Sequence, residues 1–377
     1  MIFLDNASTT PCYKEVAEVV SKYNLVNFFN PSAKYAESIN VAKDIKQAGE
    51  EIAKLVGDAS KKVVFVSGAT EANNMALNSL CQTGHNIVVS EGEHSSIYEF
   101  AKKLKVEGKD VRFAGLNADG TVSIEKVLEL VDEKTTLVSA MIVSNETGAI
   151  SDILTLSQKV KQKNPKVVFH TDAVQAFGKI EISKIAKAVD MLTISAHKIH
   201  GPKGVGALLY NPKLNLKPII VGGGQQNGLR SGTENVSGIM GLALAAKIAV
   251  QKMPENLPKI TALKNSLIKA IIEEAESFGL SVEFHTSENA SPYILSLSIA
   301  NVRGEVLMNL LSREGLLVGV GSACSSKLRG NRILTSMGKS MAEADGNLRL
   351  SFSEENLTES VSEIAKTICA LAKQIKK

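Results

Sequence analysis

Over its first two-thirds the chain alternates short apolar runs with amphipathic stretches, and few architectures accept that alternation. The runs Val63–Ser67, Asn86–Ser90, Leu137–Ser144, Val167–Thr171 and Met191–Ser195 are rich in Val, Ile, Thr and Phe and end in small or polar residues, as buried strands do. Between them Glu71–Leu80, Ile97–Glu107, Ile124–Val131 and Leu154–Lys163 carry helical spacing. Strand–helix alternation predicts an α/β fold, a mainly parallel sheet covered by helices on both faces. Such sheets bind ligands beyond the carboxyl ends of their strands. Chemistry is therefore sought just after each run.

The last third reads differently. Met253-Pro254-Glu255-Asn256-Leu257-Pro258 interrupts one helical pattern (Gly238–Lys252) and precedes another (Ile260–Phe278). This is the expected interdomain boundary. It sets a large domain, residues 16–252, against a small α+β domain of residues 1–15 and 253–377. Expected strands there are Ser281–His285, Ile294–Ile299, Leu316–Val320 and Leu348–Phe352, with helices at Glu305–Arg313 and Leu357–Ile375. Two domains suit 377 residues.

Composition removes several function classes. Lys+Arg exceeds Asp+Glu by only 43 to 39, with no block of like charge, so direct nucleic-acid binding is not expected. The longest apolar-rich stretch, Ile239–Val250, contains Lys247 and falls short of the roughly 20 residues of a membrane span. The N-terminus lacks a basic segment and a signal-length apolar core, so a cytoplasmic location and no membrane partner are expected. Cys12, Cys81, Cys324 and Cys369 form no CxxC, which supports neither a zinc knuckle nor a redox motif. Reduced thiols are expected.

Three segments follow strands. Gly68-Ala69-Thr70-Glu71 is a glycine turn opening a helix, whose free N–H groups would favour an anion. Taken alone, it reads as an ordinary N-cap. His170-Thr171-Asp172 places a carboxylate at the end of a buried strand, where it needs a cationic or donor partner. Ser195-Ala196-His197-Lys198 places a lysine at the same edge. Desolvation there would lower its pKa and make it a usable amine nucleophile. His197 and His200 stand at metal-pair spacing, but no third ligand is evident, and no metal is expected. Lysine, acid and anion cradle together are what pyridoxal phosphate requires.

The segments Ser67–Asn74, His170–Gln175, Ser195–Gly206, Gly222–Asn235 and Gly321–Ser326 closely resemble the cysteine desulfurases of the NifS/IscS type. These are pyridoxal-phosphate enzymes of transferase fold type I, aminotransferase class V. The resemblance runs from Asp5 to Arg349. It implies that Lys198 carries the cofactor, Asp172 pairs with the ring nitrogen, Gln175 bonds the ring's phenolic oxygen and His94 stacks on the ring. It implies a phosphate set of Ala69, Thr70, Ser195 and His197, completed by Thr233 from a second subunit, hence a homodimer. It implies that Asn145 and Arg349 hold the carboxylate of the substrate L-cysteine. Arg349 suits that task because its planar fork binds a carboxylate bidentately.

Read alone, Cys324 in Gly321-Ser322-Ala323-Cys324-Ser325-Ser326 could be a packed thiol. Its Gly- and Ser-rich surroundings, residues 320–332, instead read as an exposed mobile loop of the small domain, where Lys327, Arg329 and Arg332 favour thiolate. The resemblance implies that Cys324 takes the sulfur as a persulfide and passes it to an acceptor or scaffold protein, with alanine left behind. His94 is then a proton relay. The destination, iron–sulfur clusters or tRNA and cofactor thiolation, is left open. Selenocysteine lyase, another class V activity and a low-activity transfer platform are the competing expectations. The chain departs from the family's usual pattern at Phe29, at Tyr35, at Gln226-Asn227 and at Gly330-Asn331-Arg332. These positions bear on acceptor choice and rate rather than on reaction type.

Overall fold

A computed structural model describes residues 1–321 and 331–376 of the protein. After β1 (Ile2–Leu4), α1 (Lys14–Leu25) and α2 (Ala36–Leu55), the chain enters a seven-stranded sheet. Its strands are β2 (Lys62–Val66), β3 (Asn86–Ser90), β4 (Asp110–Ala114), β5 (Thr135–Ser139), β6 (Val168–Asp172), β7 (Met191–Ser195) and β8 (Gly206–Tyr210). Their order is β2-β8-β7-β6-β5-β3-β4. Helices α3 (Ala69–Leu80), α4 (Ser95–Val106), α5 (Ile124–Leu130), α6 (Ile153–Lys163) and α7 (Ser183–Ala188) connect the strands. The apolar runs have the expected cause: β3, β6, β7 and β8 are buried at every residue, enclosed on both faces.

Two strands, β4 and β8, escape the periodicity. The four pairings from β4 to β7 are parallel, but β8 is antiparallel to both β7 and β2, so the sheet is mixed. The reason is local. Residues 196–205 between β7 and β8 hold only a short 3-10 turn, too little chain for a helical crossover.

The proline-rich boundary does not break the helix. α8 runs unbroken from Val236 to Ser277 through Pro254 and Pro258. Each end is packed: Ile239, Leu242, Ala245 and Ala249 enter the core of the large sheet, while Ile260, Leu267, Ile271 and Ala275 enter a second core. No residue between Ala249 and Ile260 is buried. Tertiary packing at both ends holds the prolines helical against their local preference. α8 is also, by length and composition, the one helix among the described residues able to cross a membrane. Its buried residues divide between the two protein cores.

The second core is built by β9 (Val282–Phe284), β10 (Ile294–Ile299), α9 (Gly304–Arg313), β11 (Leu316–Val318), α10 (Arg332–Ser336), α11 (Met341–Asp345), β12 (Asn347–Ser351) and α12 (Val361–Ile375). β9, β10 and β12 form an antiparallel sheet, and β1 pairs in parallel with β11. Period-2 alternation sorts its faces. Leu295, Leu297, Leu348 and Leu350 enter the core, whereas Ser296, Ser298, Asn347, Arg349 and Ser351 are buried on the other face. That polar face carries Arg349 to the site.

Candidate active site

A cavity of about 740 Å³ opens at the carboxyl edge of the large sheet. It is lined by Ala69, Thr70, His94, Asn145, Asp172, Gln175, Ser195, His197, Lys198 and Arg349, which the chain brings together from the edge of the large sheet and from β12. Two of the residues singled out in the sequence are not among them. Thr233 is exposed and does not line the cavity of its own chain. Cys324 lies outside the described residues.

Lys198 ends the short turn after β7, and its Nζ donates to the carbonyls of Ala7 (2.5 Å) and Ser8 (2.6 Å). Desolvation and then the charge of Arg349 lower its pKa to about 8. The floor it rests on comes from the first residues of the chain, tied back to β12 by Ala7 N donating to Ser351 Oγ at 2.8 Å.

Asp172 ends β6 and is buried. One oxygen accepts from Val174 N at 2.9 Å, the other from Asn73 Nδ2 at 2.8 Å. Burial raises its pKa, while these donors and the nearby His94 and Lys198 oppose the rise. Asn73 is a residue that sequence reasoning missed. It lies one turn after Thr70 on the inner face of α3, so helical spacing from Thr70 was the available signal. Asn73 also donates to Ser96 Oγ (2.9 Å), which contacts His94 Nδ1 (2.9 Å). Ser96 N donates to the same Nδ1, which leaves the proton of a neutral ring on Nε2. His94 is open to the cavity but walled by protein, and desolvation lowers its pKa.

Gly68 is the N-cap residue of α3, and no side chain caps that helix, so Thr70 is not an ordinary cap. The uncapped turn, with Thr70, Ser195 and His197, faces the cavity at one end. β8 must pass very close here: a Cβ on Gly206 would stand 2.8 Å from both the Gly68 carbonyl carbon and the Ile194 oxygen. His197 Nδ1 meets Thr9 Oγ1 at 3.1 Å, and burial takes its pKa down to about 4. His200 Nδ1 meets the carbonyl of Pro11 at 3.0 Å, apart from His197.

On the opposite wall Arg349 donates from Nη1 to Asn145 O and from Nη2 to Asp5 Oδ1, both at 2.8 Å. Arg349 Nε and Asn145 Oδ1 are buried without a hydrogen-bond partner in the protein. Arg349 Nε is a donor suited to a carboxylate, but Asn145 presents its acceptor oxygen while its Nδ2 donates to Glu146 Oε1 at 2.8 Å, so the expectation that Asn145 also holds the carboxylate is not met in this orientation. Glu93, fully buried beside Asp172, has its carboxyl held well above the usual range by burial and by that neighbour's charge.

The segment containing Cys324 leaves from Gly321 and returns at Asn331. Asn331 Nδ2 donates to Glu146 Oε2 at 3.2 Å, and Arg332 donates to the carbonyls of Glu91 and Glu93. Of the departures, Phe29 and Tyr35 form an aromatic cluster with Phe28, while Gln226 and Asn227 adopt left-handed backbone, with Gln226 Oε1 accepting from Phe65 N.

The description aminotransferase class-V matches residues 2–364. The chain is 34% identical over 378 residues to a cysteine desulfurase IscS of Clostridium botulinum, covering 99% of this chain and 94% of that one. It is 34% identical over 381 residues to cysteine desulfurase IscS 1 of Archaeoglobus fulgidus, covering 100% and 98%. Among solved structures, a NifS-like protein superimposes with a TM-score of 0.89 at 33% identity over 98% of both chains. SspA in complex with cysteine superimposes with a TM-score of 0.79 at 31% identity, over 93% of this chain and 99% of that one.

Proposed function

The chain belongs to the aminotransferase class-V family, among its NifS/IscS-type cysteine desulfurases, and from that premise we propose how its residues remove sulfur from L-cysteine. It is a pyridoxal-phosphate-dependent enzyme. The side chains present fit that cofactor. The uncapped turn of α3 with Thr70, Ser195 and His197 offers donors to a phosphate, and buried Asp172 retains lone pairs for a protonated ring nitrogen. When bound, pyridoxal phosphate supplies an electron sink for the bonds at the substrate's Cα.

The chain's own residues do the rest. Lys198, with its lowered pKa, has a substantial neutral fraction near pH 7–8, which suits it to hold the cofactor and to take the Cα proton. Arg349 Nε is suited to hold the carboxylate of the amino acid, and Asn145 Oδ1 to accept from its ammonium group. Gln175 Nε2, which donates to Ala7 O, would offer its second N–H to the ring oxygen. His94, neutral and carrying its proton on Nε2, is placed to relay a proton. Cys324 thiolate attacks the substrate sulfur. The S–S bond forms as the C–S bond breaks, its electron pair stays with the carbon skeleton, and protonation of that skeleton gives L-alanine. The persulfide on Cys324 then goes to an acceptor or scaffold protein.

Thr233, exposed and outside the lining of its own cavity, is proposed to serve the phosphate of a partner subunit in a homodimer. The exposed apolar residues Phe28 and Val221 support such an interface. We also propose the division into residues 16–252 and residues 1–15 with 253–377. The split of buried residues along α8 supports it, and so does the pairing of β1 with β11.

The observation that carries this reading is the meeting of the Lys198 amine and the Asp172 carboxylate, from adjacent strand ends, in one cavity walled by Arg349. The test is alanine and sulfide formation from L-cysteine by the holoenzyme with a thiol reductant. Lys198→Ala abolishes both. Cys324→Ser stops sulfur release while the cofactor's visible band persists. Full sulfur release by the Cys324 variant would remove Cys324 from the mechanism.

A further inference from the structure

Lys179 is a second buried lysine beside the cavity floor, and no step above uses it. It is 7% exposed. It follows Gln175 by four residues in a helical turn, where Phe177 N bonds Ala173 O and Ile180 N bonds Ala176 O, so both side chains share one side. The turn is pinned at Gly178 (φ 72°), where a Cβ would meet that of Ala249 at 2.7 Å. Lys179 Nζ donates to Gln175 Oε1 at 2.8 Å, with the Tyr293 ring centroid 5.8 Å away. Gln175 Nε2 donates to Ala7 O at 2.9 Å. These partners fix the amide's orientation. A carbonyl has no proton to give, so the NH2 must face Ala7, and a lysine ammonium has no lone pair, so the oxygen must face Lys179.

We propose that Lys179 is a positioning residue that holds the Gln175 amide with its NH2 group toward the ring oxygen of the bound cofactor and thereby sets the electronic state of that ring. The inference rests on the reading of Gln175 given above. A reversed amide would set a carbonyl against an oxygen that carries negative charge. The charged groups that face Lys179 are Lys198 and Arg349, both cations. Burial and their charges bring its pKa to about 7; the neutral amine can still donate to Oε1 but also carries a lone pair, so its hold on the amide's orientation is firmest below that pH, and Ala7 O completes it.

A donor at the ring oxygen disfavours proton uptake by the chromophore, so the pH midpoint of the holoenzyme's visible band lies lower while the amide is held. The experiment titrates that band in the unaltered holoenzyme, Gln175→Leu, Lys179→Met and the double variant. Each single substitution is expected to raise the midpoint by about one unit. The double variant is expected to move it no further than Gln175→Leu alone, the signature of two residues acting as one. If Gln175→Leu leaves the band unmoved, the reading of Gln175 fails, and this inference with it. If Gln175→Leu moves the band and Lys179→Met does not, the role of Lys179 alone is overturned. Fully additive shifts overturn it too, since Lys179 would then act by charge and not through the amide. Should the Met variant not fold, Lys179→Leu, which likewise has no donor for Gln175 Oε1, is read in the same way.

Discussion

A buried carboxylate survives where donors meet it, and Asp172 has one of its two donors from Asn73, 99 residues away in the chain. Hydrogen bonds to charged groups are worth roughly 1.5–3 kcal/mol. Asn73→Ala is therefore expected to weaken pyridoxal phosphate binding about tenfold or more, measured by absorbance titration of the apoprotein, while leaving the fold intact. An unchanged affinity would mean that Val174 N alone secures Asp172. This residue also marks the limit of what single positions disclose. Lys198 and Asp172 were legible because each ends an apolar run, where a charge is conspicuous. Asn73 and Lys179 were not. A polar residue on the inner face of a helix or turn looks like any solvated one until its distant partner is known. Asp5, which holds Arg349 at 2.8 Å, was legible only as part of a motif, because its partner lies 344 residues on.

Among elements, α8 departs furthest from local preference. A proline inside a helix removes a hydrogen bond and crowds the preceding turn, a cost of about 3 kcal/mol. Pro258 sits in the part of α8 where no residue is buried. Pro258→Ala is therefore expected to stabilise the protein by about 1–3 kcal/mol, seen as a higher urea midpoint at unchanged slope. A lower midpoint would show that the proline fits a bend the cores require. The strands β2, β3, β5, β6 and β7 were legible because enclosure on two faces demands continuous apolar runs. β4 begins with Asp110 and alternates as an edge does, and β8 begins Gly206-Ala207, weak strand formers. Their place in the sheet was decided by neighbours. The glycine that weakens β8 as a strand is the same one that lets it pass Gly68.

For the molecule as a whole, desolvation disfavours the charged form of buried His170 and His285 and of partly buried His197. Desolvation takes them to about 3, 4 and 4 from an ordinary 6.5. A lowered pKa means that the unfolded chain binds protons first, so stability rises with pH between about 4 and 6.5 and is lost as pH falls through that window. The apoprotein's urea midpoint should fall steeply from pH 6.5 to 4.5, and a flat profile would contradict their burial. The change in pattern after residue 250 is matched by a change of core along α8, but the wall that Arg349 adds to the cavity was not legible, since it depends on β12 packing beside Asn145 and Asp5. The tie between Ala7 and Ser351 spans 344 residues. A ribosome must therefore synthesise nearly the whole polypeptide before the floor under Lys198 can be fastened. A prematurely terminated chain holds the amine and the acid but neither Arg349 nor the tie. The site is thus assembled from the two extremes of the polypeptide and is incomplete in any fragment that lacks either.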